Sequence, residues 1–156
     1  PILTVFENLA VADPEFRSRR SCESRYVQLL APYGLADRLR QPVYTLSGGE
    51  RQLVALLIAY LRQTSVVLLD EPIAALDANR GAMCMKVLRA LSAAGRTLIQ
   101  VAHDLTLATT LGDRTVIMRE GRIVLDRRGA ARDRNDVAMC FAPEHEQSSP
   151  DALLVG

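Results

Sequence analysis

Two short runs in this chain could do chemistry. Leu46-Ser47-Gly48-Gly49-Glu50 is a small polar turn that opens a helix, and Val66-Val67-Leu68-Leu69-Asp70-Glu71 is an apolar strand ending in two carboxylates. A helix N-terminus exposes unpaired N–H groups and the positive end of a dipole, so it attracts phosphate. Gly48 and Gly49 let a phosphate approach the backbone closely, and the Ser47 hydroxyl can donate to it. In open α/β sheets ligands bind where strands emerge at their C-terminal ends, which is where Asp70 and Glu71 stand. Asp70 can hold Mg²⁺, directly or through water, and Glu71 can accept a proton from an attacking water. Together the runs point to phosphate chemistry with a metal. Each also has a plainer reading: S-x-x-E caps a helix without any ligand, and a strand can simply end in solvated acids.

Two later residues join these runs. His103 follows the apolar run Thr97 to Ala102, so parallel strands put it at the same sheet edge as Asp70. An imidazole there can donate to a terminal phosphate, although a lone histidine before an Asp-capped helix is more often structural. Asp77, after Ala74-Ala75-Leu76, can cap the next helix, and His145 carries no role. The 156 residues contain no G-x-x-x-x-G-K-[ST] phosphate loop, and Lys86 is the only lysine. The chain therefore holds half of a nucleotide site. Arg17, Arg19, Arg20 and Arg25 share one helix and read as a solvated face, whereas Met83, Met85, Val87 and Leu88 read as core.

The elements that must position these residues follow from local signals. Thr4-Val5-Phe6-Glu7 is a capping box that starts a helix running to about Ala12, which Pro14 ends. A second helix is expected from Ser18 to Leu30, a helical turn over Leu35 to Leu39, and extended chain from Pro42 into Leu46. Ser47 caps a helix to about Arg62. Val66 to Asp70 is a short apolar run, as in a parallel strand buried on both faces, stopped by Pro72. A helix from Ala78 to Ala93 ends at Gly95, and Thr97 to Ala102 is the next strand. Asp104 caps a short helix to Leu111. Arg114 to Arg119 and Arg122 to Asp126, joined by Glu120-Gly121, form a hairpin. Asp133 to Phe141 is a last helix, followed by a polar, mobile tail. The order is an α/β core half preceded by a helical subdomain. The expected divisions are residues 1–63 (helical subdomain), 64–128 (core half) and 129–156 (C-terminal helix and tail).

Bulk properties bound the rest. A hydrophobic content of 49% and a charged content of 24% fit a soluble globular protein with a real core. A net charge of +1 gives no argument for a nucleic-acid partner. Cys22, Cys84 and Cys140 form no C-x-x-C and read as reduced intracellular thiols. The longest uncharged apolar stretch, Leu53 to Leu61, is far too short to span a bilayer, so a membrane role must come through a partner. The chain opens at Pro1 without methionine, which leaves an excerpt, a processed product and a truncated gene all open.

The combination narrows what single motifs leave open. Leu46-Ser47-Gly48-Gly49-Glu50-Arg51-Gln52, Val66 to Glu71, Ala75-Leu76-Asp77 and Val101-Ala102-His103-Asp104 occur in one order at compatible spacing. The chain resembles the C-terminal portion of an ATP-binding cassette (ABC) ATPase, the motor subunit of ABC transporters, and is most similar to bacterial importer subunits. The resemblance covers roughly Thr4 to Asp126. Thr4-Val5-Phe6-Glu7-Asn8-Leu9 is similar to the segment after the family's glutamine loop, and Gly121 to Asp126 to its closing strand.

The resemblance implies a partial P-loop NTPase fold without the phosphate-loop strand. It implies ATP and Mg²⁺ as ligands, with Ser47, Gly48 and Gly49 as the signature motif that touches the γ-phosphate held by an opposite subunit. Asp70 would be the Mg²⁺-associated Walker B aspartate, Glu71 the general base, Asp77 the D-loop residue and His103 the switch histidine. The implied partners are a second cassette in a head-to-tail dimer and transmembrane permease subunits, with no nucleic acid. The implied location is cytoplasmic, peripheral on the inner face of the cell membrane. Glu50 departs from the family's usual glutamine and Ile73 from its usual small polar residue; the front half of the nucleotide site is missing. Two further readings stand beside the transporter subunit. One is a non-catalytic remnant that complements another cassette. The other is the head of a chromosome-maintenance ATPase, disfavoured because no long heptad-bearing arm is present.

Overall fold

The computed structural model describes residues 3–74, 76–102 and 112–128, and a side-chain cap starts each α-helix among them. The chain divides into two units, Pro1–Val101 and Ala102–Gly156.

In the first unit, α1 (Val5–Ala12) begins at the expected capping box. The Thr4 N–H donates to Glu7 Oε2 at 2.7 Å and the Glu7 N–H donates to Thr4 Oγ1 at 3.3 Å. α2 (Arg19–Leu30) is capped by Ser18, so Arg17 lies before the helix that Arg19, Arg20 and Arg25 share. The two helices meet through Phe6 and Tyr26, whose ring centroids are 5.3 Å apart. Tyr26 is fully buried and donates its hydroxyl to Asp13 at 2.7 Å, and Arg25 closes on the same carboxylate. Burial and that carboxylate push the Tyr26 phenol far above its ordinary range.

The chain then returns to α1. The N–H groups of Val5 and Phe6 donate to the carbonyls of Gln41 and Leu39 at 2.9 and 2.8 Å, and Thr4 bridges to Pro42. The helical turn expected near residue 36 is a 3₁₀ turn at Ala36–Arg38. The segment after Pro42 is not extended throughout: Val43–Thr45 is a 3₁₀ turn. Proline restrains its own φ and the residue before it, not those after it. The Thr45 hydroxyl donates back to the Pro42 carbonyl at 2.8 Å and closes that turn.

α3 (Gly48–Leu61) buries Leu53, Leu56 and Leu57, a helical i, i+3, i+4 stripe, and packs on α1. It ends at Gln63, which takes φ 53° in the left-handed region. β1 (Val66–Asp70) and β2 (Thr97–Val101) pair in parallel, with Val66 opposite Thr97 and Asp70 opposite Val101. α4 (Ala78–Ala93) connects them and packs against α3. It closes as a Schellman turn: Gly95, at φ 77°, donates to Ser92, and Arg96 donates to Leu91.

The two-strand sheet differs from expectation on one face. Val67 is buried at 7% exposure, but Leu68 is 74% exposed, and Val66, Ile99 and Val101 are also open. One face is covered and the other is bare, whereas the apolar run reads as a strand covered on both sides.

In the second unit, β3 (Arg114–Arg119) and β4 (Arg122–Arg128) form the expected antiparallel hairpin, with β4 running two residues beyond Asp126. Glu120 and Gly121 both take positive φ, 50° and 75°, the turn geometry that matches strand twist. A bulge between Ile117 and Met118 shifts the register, and Arg114 grips Asp126 with two bonds of 2.8 and 2.6 Å. The helices expected over 104–111 and 133–141, and the tail, lie outside the described residues.

Candidate functional site

The phosphate-attracting turn is built as its sequence dictates. The Ser47 N–H donates to Glu50 Oε2 at 2.8 Å, and the Glu50 N–H donates to Ser47 Oγ at 3.3 Å. As the hydroxyl accepts this bond, its own hydrogen stays available to a ligand. Ser47 and Gly48 are exposed at the tip of α3.

The two glycines have different surroundings. A Cβ at Gly48 would meet nothing within 4 Å. A Cβ at Gly49 would lie 3.2 Å from Arg80 Cγ and 3.4 Å from Leu76 Cδ2. Gly48 is thus the position at which an outside group can reach the backbone, and Gly49 lets the start of α4 pack close.

Asp77 caps α4 by accepting the Arg80 N–H at 2.8 Å. Arg80 reaches across to Glu50 at 3.7 Å, and Arg38 reaches the same carboxylate oxygen at 3.4 Å. The N–H of Ser47 holds the Glu50 carboxylate below its ordinary pKa, with Arg38 adding to the effect against a desolvation cost. The structure therefore brings Ser47, Gly48, Gly49 and Asp77 together through Arg80 and Glu50.

The acids sit at the C-terminal end of β1. Asp70 is exposed and pairs in register with Val101. Glu71 takes φ 44°, and its N–H donates to the Val101 carbonyl at 3.0 Å. Non-glycine residues rarely adopt this region, and such strain clusters at functional positions. The parallel register puts the end of β2 at the same edge as Asp70; His103 itself lies outside the described residues.

The residue types at this edge suit Mg²⁺. Asp70 and Glu71 are hard oxygen donors, and no group of three or more His, Cys, Asp or Glu suited to a metal occurs among the described residues. Mg²⁺ commonly takes one or two carboxylates and completes its shell with water and substrate phosphate. A cleft of about 640 Å³ lies elsewhere, at the N-terminal ends of the strands, lined by Asp13, Arg25, Tyr60, Thr64, Ser65 and Arg96 among others. None of its lining residues is a candidate site residue.

Sequence reasoning missed the arginines. Arg38 and Arg80 hold Glu50, and Arg96 donates to the Ala59 and Tyr60 carbonyls at 2.8 Å each. No local signal in the chain announces these partners.

An exposed helix tip and an acid pair ending the first strand of a parallel βαβ unit are the two features shared with the signature-bearing half of an ABC ATPase. Residues 1–74 match the family model described as ABC transporter. The chain is 39% identical over 144 residues to the aliphatic sulfonates import ATP-binding protein SsuB of Cupriavidus necator, a match spanning 91% of this chain and 46% of that protein. It is 40% identical over 116 residues to the macrolide export ATP-binding/permease protein MacB of Agrobacterium fabrum, spanning 74% of this chain and 18% of that one. Its fold is similar to a solved ATP-binding cassette of an ABC transporter in the ADP conformation. The TM-score is 0.71 at 20% identity, over 95% of this chain and 64% of the other. The chain belongs to the ABC transporter ATP-binding family and has a partial P-loop NTPase fold. It spans less than half the length of either curated relative.

Proposed function

We propose that this chain is the signature-to-switch half of an ABC transporter ATP-binding subunit that couples ATP hydrolysis to solute movement. The single observation that most supports this reading is the open space above Gly48 at the tip of α3. An anion-attracting tip that faces outward suits a nucleotide presented by another molecule.

ATP is the substrate. Ser47 and Gly48 bind the γ-phosphate of a nucleotide carried by a second cassette, packed head to tail. Glu71 accepts the proton of the attacking water, and His103 donates to the γ-phosphate. Asp70 would hold Mg²⁺, which would offset phosphate charge. Asp77 carries the state of one site to the other. The helical subdomain, residues 1–63, passes the motion to transmembrane permease subunits, placing the protein on the cytoplasmic face of the cell membrane. Among the described residues no helix is long and apolar enough to cross a membrane. The importer reading rests on likeness to an import subunit over 91% of the chain, beside which stands a 40% identical export protein over 74% of it.

Because its 156 residues contain no phosphate loop, this chain alone binds ATP weakly and hydrolyses almost none. A second reading is a module that complements another cassette without turning over itself. Calorimetry with MgATP, with and without an intact partner cassette, tests both. Nucleotide capture and turnover only in the mixture, with turnover lost in Glu71→Gln, support the first. Capture without turnover supports the second. Micromolar ATP binding by the chain alone overturns the need for a partner.

A further inference from the structure

Glu50 stands where the family commonly has glutamine, and its charge has partners that a neutral amide would not hold as ions. Its side chain is 12% exposed, with Arg38 Nε at 3.4 Å and Arg80 Nη2 at 3.7 Å. Arg80 is also tied elsewhere. Its N–H donates to Asp77, and its stem lies against the open side of Gly49, with Leu76 beside it. One side chain thus spans from the cap of α4 to the first turn of α3.

We infer that the Arg80–Glu50 pair is a positioning device that holds the Ser47-Gly48-Gly49 turn and the Asp77 cap in one register, so that displacing either moves the other. What those two segments touch rests on the proposed function; that they move together does not. Exposed ion pairs contribute little because water screens them and side-chain entropy opposes them. This pair is partly buried, with Arg80 only 27% exposed, and its geometry is restrained at both ends by helix caps. Glu50 also stabilises its own helix through the capping box, so its loss would have a local effect in any case. Glutamine serves equally well at that capping position. Glu50→Gln therefore keeps the cap and removes only the charge pairing.

The test is amide hydrogen exchange on the full chain without nucleotide, with each rate referred to its intrinsic sequence value. The Arg51 N–H, bonded to the Ser47 carbonyl at 2.9 Å, reports on α3, and the Gly81 N–H, bonded to the Asp77 carbonyl at 2.8 Å, reports on α4. Glu50→Gln is expected to speed exchange at Gly81, and Arg80→Gln at Arg51, by about two- to fivefold. The double variant is expected to show no more than either single change. Arg80→Lys, which keeps the stem and the charge, is expected to restore most of the protection. Absence of the cross-effects, or simple additivity in the double variant, overturns the inference. A second arm mixes each variant with an intact partner cassette, using MgATP as probe. Glu50→Gln is expected to weaken nucleotide-dependent association by a similar factor. If the unsubstituted chain shows no such association, the proposed function fails and the exchange arm alone decides the positioning role.

Discussion

The main-chain N–H of Glu71 donates to the carbonyl oxygen of Val101 at 3.0 Å, so the last bond of the β1–β2 ladder holds a residue whose φ is 44°. A left-handed conformation at a non-glycine residue costs about 1–2 kcal/mol, and the surrounding bonds must impose it. The Ala74 N–H donating to the Glu71 carbonyl at 3.1 Å and the buried Pro72 supply the rest of that restraint. Glu71→Gln leaves this backbone unchanged. Stability in urea is expected to stay within about 0.5 kcal/mol. Turnover in the presence of a partner cassette is expected to fall at least about 100-fold, the usual size of a general-base contribution, while MgATP capture persists. Single-turnover kinetics alongside equilibrium binding check both outcomes.

The neighbours of Gly48 and Gly49 predict opposite phenotypes from the same substitution. Gly48→Ala adds a methyl into open space at the first turn of α3. Alanine is the better helix former, so the fold is expected to gain up to about 1 kcal/mol. A methyl in the path of a phosphate is expected to weaken nucleotide capture about tenfold, comparable to losing one charge-assisted hydrogen bond. Gly49→Ala sets a carbon 3.2 Å from Arg80 Cγ and is expected to cost about 1–3 kcal/mol as overpacking. Thermal melts separate the two; a stable Gly49→Ala would contradict the packing role.

Arg96 joins two elements that are distant in sequence. Its guanidinium donates to Ala59 and Tyr60, whose carbonyls lie in the last turn of α3 and have no helical partner, and it stacks 5.5 Å from the Tyr60 ring. Arg96→Ala is expected to destabilise the chain by about 1–2 kcal/mol, since a charged donor makes the stronger class of hydrogen bond but only the Ala59 bond is partly buried. Arg96→Lys, a point charge without the planar fork, is expected to recover less than half of that. Urea midpoints with unchanged slope give the comparison.

Leu68 presents the bare face of the β1–β2 sheet at 74% exposure. An apolar face of this kind promotes association between copies. Leu68→Lys is expected to change the stability of the isolated chain by less than about 0.5 kcal/mol while raising the concentration at which light scattering first appears. Unchanged scattering would mean that this face does not drive association.

What was legible in the sequence were the features encoded within a few residues. Thr4 with Glu7 and Ser47 with Glu50 announce their capping boxes, Gly95 ends α4, and Glu120-Gly121 marks the hairpin. The parallel pairing of the Val66 and Thr97 runs followed from an intervening helix of crossover length. What stayed hidden depends on partners that meet only after folding. Arg38 and Arg80 converge on Glu50 from separate helical segments, Arg96 reaches back to α3, and Thr4 bridges to Pro42. Asp77 was legible as a helix cap, and the cap is what the structure contains. The bare sheet face was misread because an apolar run reports what a strand is suited to touch, not what lies against it in this chain.

Acid should weaken this fold through its helix starts. The Thr4 backbone and hydroxyl hold the Glu7 carboxylate below its ordinary pKa, and the Ser47 backbone does the same for Glu50. A carboxylate whose pKa is lower when folded binds protons more readily when unfolded. Its contribution is therefore complete above the unfolded value, near pH 4.3, and is lost as pH falls through the folded value. Urea midpoints are expected to be flat from about pH 7 to 5 and to decline below about pH 4. Glu50→Gln keeps its cap at every pH and is expected to make that decline shallower. A variant that loses stability on acidification as steeply as the parent would show that the Ser47–Glu50 box does not contribute to the acid limb.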